Sequence, residues 1–387
     1  MEQSRIRQRN TGLAVFFISG VCVISAGVVV SMLQELYGFA YSTTGTLLSL
    51  MSIGNLMAGF ASGILPGKIG MKKTMVILTG GYALGYLFMS ASGWVPMLMA
   101  AFFLVGIAKG STLNCCTILV GDNSKDRTKG MNLMHSCYAL GALLCPFVIG
   151  AARRGEDRLA TAVLALCGLS VWLAFAAVPM EERERTQKEH TDWSFLRSRK
   201  FWLLTGLLFC QNGAETSVTG WLVTYFKGSG IISGALSTYT VTVMWSATLI
   251  ARMLIAFVFP LKNAYTAMIR MGIFGTVFYI GLITAKSQTA AFLLLFAFAF
   301  AMAGMNPTAV ASAGRMTSVT SMGIMLPAAS SGAILMPWVI GVAAERFGIA
   351  AGMATNIVPC AGMFLFSTAL WRVSVKDDLR MGADGRG

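Results

Sequence analysis

Residues 141–150 of the chain read GALLCPFVIG, and residues 332–341 read GAILMPWVIG. The two segments share their first and last glycine, a central proline and most of the apolar residues between, and they lie about half the chain length apart. In a chain with 42 Gly among 387 residues, chance could supply the glycine and proline frame, but the apolar matches within it are not expected by chance. The repeat therefore predicts a duplication, with two similar halves.

The composition predicts that both halves lie in a membrane. Hydrophobic residues make up 56% of the chain and charged residues only 12%, whereas a soluble protein carries about 25% charged residues. No stretch of domain length has enough polar surface to cover a water-soluble globule. This composition excludes a soluble enzyme and makes the bilayer the solvent.

Twelve apolar segments are long enough to cross a bilayer as helices, for which about 20 residues are needed. They are residues 11–33, 43–65, 74–92, 95–119, 130–151, 158–179, 200–226, 231–259, 264–285, 289–313, 318–343 and 349–372. We therefore predict an all-α integral membrane protein with 12 transmembrane helices in two pseudo-symmetric bundles. Residues 1–180 form the N-terminal six-helix bundle, residues 181–199 a cytoplasmic loop, and residues 200–387 the C-terminal six-helix bundle.

The basic residues predict the orientation. With an even number of spans, both termini lie on one side, and the loops of that side carry most of the 30 Lys and Arg. Cytoplasmic loops of membrane proteins have an excess of these residues, so we predict a multi-pass protein of the cytoplasmic (inner) membrane with both termini cytoplasmic. The net charge of +14 then reflects topology, and we predict no nucleic-acid partner.

Two parallel six-helix repeats place a substrate site near the membrane midplane, between the halves, and provide alternating access. The loop after the second span reads GILPGKIGMKK over residues 63–73. It resembles the signature between helices 2 and 3 of the major facilitator superfamily, but has Gly67 in place of an acidic residue and Met71 in place of a basic one. The resemblance implies the major facilitator fold, and it implies a gating role for Gly63, Gly67, Lys68, Gly70 and Lys72.

Further segments resemble the fucose, galactose and glucose permease branch of that superfamily. They are Asn132–His135 with residues 141–146 in helix 5, Gly213–Glu215 with Gly220, Trp221 and Tyr225 in helix 7, Trp245 with Arg252 in helix 8, and Asn306–Thr308 in helix 10. The resemblance implies a secondary transporter that carries a small polyhydroxylated solute, such as a sugar, in symport with protons. A membrane-embedded transferase would need clustered carboxylates or histidines at one membrane face, and the sequence has none. We therefore predict that the protein is not an enzyme.

Glu215 is the only acidic residue deep within a predicted span. An ionisable group in the hydrocarbon region is costly and needs a partner, an aqueous cavity or a functional role. A carboxyl group in a cavity can bind a proton from one side and release it on the other, so we predict that Glu215 couples transport to protons. The alternative is a structural ion pair with Lys109 or Arg252, the two cations within the spans.

Polar and aromatic side chains around a central cavity are the candidate substrate contacts, because aromatic rings stack on a pyranose while amides bind its hydroxyls. The candidates are Lys109, Asn114, His135, Tyr138, Gln211, Asn212, Glu215, Trp221, Trp245 and Asn306. Lys109 either faces the cavity, where it neutralises Glu215 or attracts a substrate carboxylate, or extends to the membrane surface. A cavity-facing Lys109 without a protein partner favours the alternative function, transport of an organic anion or drug.

Two residues of the C-terminal half are further gating candidates. Arg252 is interpreted as a gating or packing cation, with a ligand contact as the alternative. Pro307 is expected to bend helix 10, because proline lacks a backbone donor and clashes with the preceding turn.

The sequence also predicts which ligands and energy sources the protein does not use. It has two His, no C-x-x-C spacing and no Walker loop, so we predict no metal, no cofactor and no direct use of ATP. The predicted partners are a small-molecule substrate, a proton or a sodium ion, and membrane lipid, and the predicted state is a monomer. The sequence leaves open which substrate is carried, in which direction, and whether any ion is coupled to it. It also leaves open whether the protein is a receptor that binds a solute without transporting it.

Overall fold

The structure is a computed structural model, and it describes residues 2–125, 127–153, 157–178, 194–258, 261, 263–316 and 319–384. The described residues form twelve membrane helices, several of them interrupted, and each overlaps one predicted span. The N-terminal bundle consists of α1 (Glu2–Tyr37), α2 (Tyr41–Ile64), α3 (Met71–Thr79 and Gly81–Ala91), α4 (Val95–Gly121), α5 (Arg127–Arg153) and α6 (Asp157–Ala177).

The C-terminal bundle repeats this arrangement. It consists of α7 (Arg199–Ser229), α8 (Thr240–Met253, continued by a π-helical turn, Leu254–Val258), α9 (Ala264–Thr284), α10 (Gln288–Met302 and Met305–Met316), α11 (Val319–Phe347) and α12 (Ile349–Ala354 and Ile357–Asp384). Short helical turns at Pro66–Ile69, Ser194–Arg197 and Gly234–Ser237 lie between the membrane helices. The predicted all-α fold of two six-helix bundles is confirmed. Residues 179–193, most of the predicted connecting loop, lie outside the described residues, so the domain boundaries stay predictions.

Ten of the described helices are long and apolar enough to cross a membrane by length and composition. The two that do not meet these criteria, α7 and α8, both border the site described below. Gln211, Asn212 and Glu215 lower the hydropathy of α7, and α8 is regular over only 14 residues, Thr240–Met253. The protein is therefore a multi-pass membrane protein whose least apolar helices lie at its centre.

The repeated glycines explain why the two halves pack alike. Gly141 on α5 lies against α1, where an added Cβ would come within 2.0 Å of the Phe17 carbonyl oxygen. Gly332 on α11 lies against α7 in the same way, with its Cβ position 2.0 Å from the Phe209 carbonyl oxygen. Small residues allow membrane helices to approach this closely. Each copy of the repeat therefore packs its helix against the first helix of its own bundle.

The contacts between the bundles lie toward one end of the molecule. The Glu345 carboxylate on α11 accepts a hydrogen bond from the backbone N–H of Tyr41, the first residue of α2, at 2.8 Å. Lys227 on α7 forms a salt bridge with Glu35 on α1 at 2.9 Å, and Ser49 Oγ donates to the Ile334 carbonyl at 2.7 Å. We call this the Glu345 end. It is the end at which α1, α5, α7 and α11 terminate, and the bundles are closed against each other there.

Candidate functional site

A cavity of about 330 Å³ lies between the two bundles. Its wall is formed by α1, α2, α4 and α5 from the N-terminal bundle and by α7, α8 and α10 from the C-terminal bundle. The predicted site residues in this wall are Lys109, His135, Tyr138, Asn212, Glu215, Trp245, Arg252 and Asn306. The structure therefore brings together most of the candidate side chains, from five different helices.

Three charged side chains face the cavity, one each from α4, α7 and α8. They are Lys109, Glu215 and Arg252. Among the described residues, Lys109 has no hydrogen bond or salt bridge, and Glu215 forms no salt bridge with either cation. Arg252 donates from Nε to the backbone carbonyl of Ala303, at 3.2 Å. With all three groups ionised, the charged side chains of the wall carry a net charge of about +1.

Glu215 is held by a row of amides. Gln211 lies one turn earlier on α7 and donates from Nε2 to Glu215 Oε2, as residues four apart on a helix can. Asn306 on α10 donates from Nδ2 to Gln211 Oε1 at 2.7 Å, and its Nδ2 lies 3.4 Å from Asn212 Oδ1. This hydrogen-bond network connects α7 with α10.

A series of contacting aromatic rings joins the two bundles. Trp245 on α8 meets Tyr138 on α5 edge-on, with ring centroids 5.8 Å apart at 68°. Tyr138 in turn packs against Phe16 at 5.1 Å, and Phe16 meets His135 at 5.7 Å. Such tilted and edge-on pairs contribute about 0.5–1.5 kcal/mol each beyond the burial of their area. The cavity wall therefore combines aromatic rings with amides and charged groups.

Three predicted substrate contacts do not line the cavity. Gln211 is completely buried behind the wall. Trp221 is also completely buried, and its indole Nε1 donates to the Pro337 carbonyl on α11 at 3.1 Å. Asn114 lies on α4 and is half-buried, outside the lining. None of the three therefore touches the cavity in this conformation.

Three hydroxyl residues of the lining had no sequence signal: Ser19, Ser52 and Thr216. Ser19 on α1 shares a hydrogen bond with the Tyr82 hydroxyl at 2.8 Å, and Ser52 on α2 donates to the Leu48 carbonyl at 3.3 Å. Small hydroxyl residues are common in membrane helices, where they usually bond to a backbone carbonyl. Sequence alone therefore does not distinguish those that border a cavity.

The predicted gating loop forms a compact turn at the far end from Glu345. Gly70 has a φ of 85°, a conformation that favours glycine. Lys72 donates from Nζ to the Val178 carbonyl, just beyond the end of α6. Gly63 lies in the last turn of α2, and Gly67 and Lys68 lie in the short turn Pro66–Ile69. A lysine is favourable at a helix C-terminus, where the carbonyls carry partial negative charge. In this conformation the Lys72 contact lies within the N-terminal bundle.

Two pseudo-symmetric six-helix bundles around a central cavity are typical of secondary transporters. The model of the Major Facilitator Superfamily matches residues 12–331, and the chain belongs to this superfamily. Among the described residues, no group of three or more His, Cys, Asp or Glu is placed to hold a metal ion.

Three curated proteins are similar in sequence, and all are transporters by name. The nitrate/nitrite transporter NrtP of Picosynechococcus sp. is 38% identical over 96 residues, covering 22% of this chain and 18% of the relative. The probable sulfoacetate transporter SauU of Cupriavidus necator is 22% identical, covering 58% of this chain and 59% of the relative. The 4-hydroxybenzoate transporter PcaK of Pseudomonas aeruginosa is 24% identical, covering 36% and 30%. The chain thus matches less than two thirds of the length of each.

Solved structures share the fold over nearly the whole chain. A bacterial homologue of the human lysosomal transporter Spinster, inward-facing and unoccupied, superposes with a TM-score of 0.76 at 12% identity, covering 96% of this chain and 97% of that one. The nucleoside transporter NupG superposes with a TM-score of 0.71 at 14% identity, covering 95% and 98%. At this identity the likeness shows the fold alone. The predicted membership of the superfamily is confirmed, while the sugar-permease branch stays a prediction.

Proposed function

We propose that the protein is a secondary transporter of a small organic anion, coupled to protons through Glu215. The observation that carries this proposal is the environment of Lys109. Lys109 lines the central cavity, and it has no hydrogen bond or salt bridge with the residues that the structure describes. Of the two predicted functions, the organic-anion alternative was the one that such a lysine would favour.

Charge accounts for the preference for an anion. An unpaired charge within a membrane costs about 3 kcal/mol or more, and a carboxylate or sulfonate bound beside Lys109 would offset that cost. Arg252 adds a second positive group to the same wall, against the single carboxylate of Glu215. A neutral solute would leave the cavity with uncompensated positive charge.

The relatives are consistent with this substrate class. The names of the three curated transporters refer to nitrate and nitrite, sulfoacetate and 4-hydroxybenzoate, all of which are anions at neutral pH. Because the matches are partial, they support the chemical class of the substrate and no particular compound.

Glu215 supplies the coupling in this proposal. Among the described residues, it is the only acidic residue of the cavity wall, and it forms no salt bridge with a cation. In the cycle that we propose, Glu215 is protonated while the cavity is open at the Glu345 end and fills. Rocking of residues 1–180 against 200–387 then exposes the substrate and the proton to the other side.

Uptake into proteoliposomes under an imposed pH gradient tests the proposal, with a panel of carboxylates, sulfonates and neutral sugars. We expect wild type to accumulate one or more anions. Lys109→Met should lower anion uptake by about tenfold or more, since the charged contact between Lys109 and the substrate, worth about 1.4 kcal/mol or more, is lost. Lys286→Met removes an exposed lysine from the loop between α9 and α10 and is the matched control. Equal anion uptake by Lys109→Met and Lys286→Met would contradict the anion proposal.

The coupling is tested separately in the same vesicles. Glu215→Gln should retain exchange of substrate across the membrane but lose accumulation driven by the pH gradient. A parallel sodium gradient distinguishes the two coupling ions. Accumulation by Glu215→Gln at the wild-type level would rule out coupling through this carboxylate.

A small polyhydroxylated solute is the second candidate. The amides of Asn212 and Asn306 and the rings of Trp245 and Tyr138 border the same cavity, a combination that suits hydroxyl groups and a sugar face. Accumulation of glucose, galactose or fucose, with no anion in the panel transported, would favour this candidate.

A further inference from the structure

α10 is interrupted at Ala303 and Gly304, and a hydrogen bond connects this interruption to α8. Pro307 lacks a backbone N–H, so the Ala303 carbonyl, four residues earlier, loses its usual helical donor. Arg252 replaces that donor, with Nε 3.2 Å from the Ala303 oxygen. The interruption is therefore satisfied by a charged side chain from a neighbouring helix.

Hydrogen bonds of two amide side chains, Asn306 and Gln211, connect the same interruption to Glu215. Asn306 donates to Gln211 Oε1 at 2.7 Å, and Gln211 Nε2 donates to Glu215 Oε2. Gln211 is completely buried and does not line the cavity. It can therefore affect a substrate only through Glu215 and Asn306, which do line it.

The direction of these hydrogen bonds depends on the charge of Glu215. A carboxylate only accepts, so Gln211 directs its N–H groups to Glu215 and leaves its carbonyl oxygen for Asn306. A hydrogen bond to an ionised acceptor is about twice as strong as one between neutral groups. Protonation of Glu215 therefore weakens the connection to α10.

The other titratable and charged groups around Glu215 come from three helices. They are Lys109 on α4, His135 and Tyr138 on α5, and Arg252 on α8. Among the described residues, none of these groups is hydrogen bonded to the Glu215 carboxylate. The direct partner of the carboxylate is Gln211.

We propose that Gln211 and Asn306 form a clamp between Glu215 and the interruption of α10, and that protonation of Glu215 loosens this clamp. Gln211 is then a positioning residue and makes no substrate contact. Because Asn306 also lines the cavity, a bound substrate and a bound proton act on the same segment of α10. This inference rests on the proposed role of Glu215 in coupling.

Backbone hydrogen exchange in α10 tests the clamp. Glu215→Gln imitates the protonated carboxyl at constant pH, because the amide is neutral and of the same size. We expect the peptide that spans residues 303–306 to exchange about threefold to tenfold faster in Glu215→Gln than in wild type. Gln211→Met should give a similar increase, and the double variant no more than Gln211→Met alone.

The control removes a different buried amide. Asn356 lies between the two segments of α12 and is completely buried. It donates to the Ala214 carbonyl on α7 at 3.4 Å, and it has no hydrogen bond with Glu215. Asn356→Leu should leave exchange at residues 303–306 unchanged. Asn306→Leu breaks the clamp at its other end and should match Gln211→Met, which provides a second variant if Gln211→Met does not fold.

Transport gives a second readout. Gln211→Met should shift the pH dependence of gradient-driven uptake, whereas Asn356→Leu should not. Wild-type exchange rates at residues 303–306 in Glu215→Gln, or additive increases in the double variant, would overturn the clamp while leaving proton coupling intact. Gradient-driven uptake retained by Glu215→Gln would instead overturn the proposed coupling, whatever the exchange rates.

Discussion

At the scale of single residues, two tryptophans of the C-terminal bundle differ in what surrounds them. Trp245 lines the cavity, whereas Trp221 is completely buried and donates to the Pro337 carbonyl at 3.1 Å. That carbonyl lies on α11, so Trp221 joins α7 to α11. The sequence predicted the same kind of role for both rings, because it shows residue type and helix but not the neighbouring helix.

Trp221→Phe should therefore lower stability more than it alters selectivity. The substitution removes the indole N–H and leaves the Pro337 carbonyl without this donor, at a cost of about 1–3 kcal/mol. Thermal unfolding in detergent measures the loss, and the ratio of uptake rates for two anions measures selectivity. Trp245→Phe is the comparison, and we expect it to alter selectivity more than it lowers stability. A changed anion ratio in Trp221→Phe at unchanged stability would contradict this assignment.

At the scale of helices, close crossings and interruptions determine which surfaces meet. The repeat places Gly141 and Gly332 where only glycine allows α5 and α11 to contact the first helix of each bundle. In α10, Pro307 leaves the Ala303 carbonyl free for Arg252. The glycines allow neighbouring helices to cross closely, whereas the proline interrupts the hydrogen bonding of its own helix.

Gly141→Ala should destabilise the N-terminal bundle. The new Cβ would lie 2.0 Å from the Phe17 carbonyl oxygen, so α1 and α5 must separate, at a cost of about 1–3 kcal/mol. Gly59→Ala on α2 is the matched control, because nothing lies within 4 Å of its Cβ position. Thermal unfolding in detergent should show a lower midpoint for Gly141→Ala only, and equal midpoints for the two variants would refute the close crossing.

Pro307→Ala should straighten α10 and slow transport. Alanine supplies the N–H that proline lacks, so the Ala303 carbonyl can regain a helical hydrogen bond in competition with Arg252. We expect slower hydrogen exchange at residues 303–306 and a transport rate reduced about severalfold, with little change in substrate affinity. Unchanged exchange together with an unchanged rate would show that the interruption does not depend on Pro307.

At the scale of the whole molecule, the bundles are closed at the Glu345 end. The backbone amide of Tyr41 is bound by the Glu345 carboxylate, and Glu35 pairs with Lys227. Both contacts join the N-terminal bundle to the C-terminal bundle. The distribution of basic residues predicts that this end faces away from the cytoplasm. If that prediction holds, the cavity of this conformation is closed to the outside.

Glu345→Ala should shift the population toward states that are open at this end, because one inter-bundle contact of the closed state is lost. Ser49→Cys reports on opening, since Ser49 is buried between α2 and α11. A membrane-impermeant maleimide should label Ser49→Cys several-fold faster when it is combined with Glu345→Ala. Arg346→Ala is the neighbouring control. Equal labelling rates in the two combinations would argue against a closing role for Glu345.

The same labelling in intact cells tests the orientation. Added from outside, the reagent should reach Ser49→Cys in the Glu345→Ala background if both termini are cytoplasmic. Labelling only after the membrane is permeabilised would reverse the orientation that the basic residues predict. Wild-type protein, which retains its eight native cysteines, gives the background.

The sequence by itself determined the membrane class, the twelve helices, the duplication and the prominence of Glu215. These features depend on local properties: the length of apolar segments, the spacing of glycines and prolines, and the cost of a lone charge in hydrocarbon. The match to the superfamily over residues 12–331 agrees with them.

Only the tertiary structure decided how the polar residues are partnered. It places Lys109 in the cavity without a salt bridge among the described residues, Gln211 behind the wall, and Trp221 against α11. These relations depend on how helices far apart in sequence rotate and cross, which the pattern along one helix does not specify. The prediction of a sugar followed from a family resemblance along the sequence, whereas our proposal of an anion depends on the position of Lys109 in the cavity.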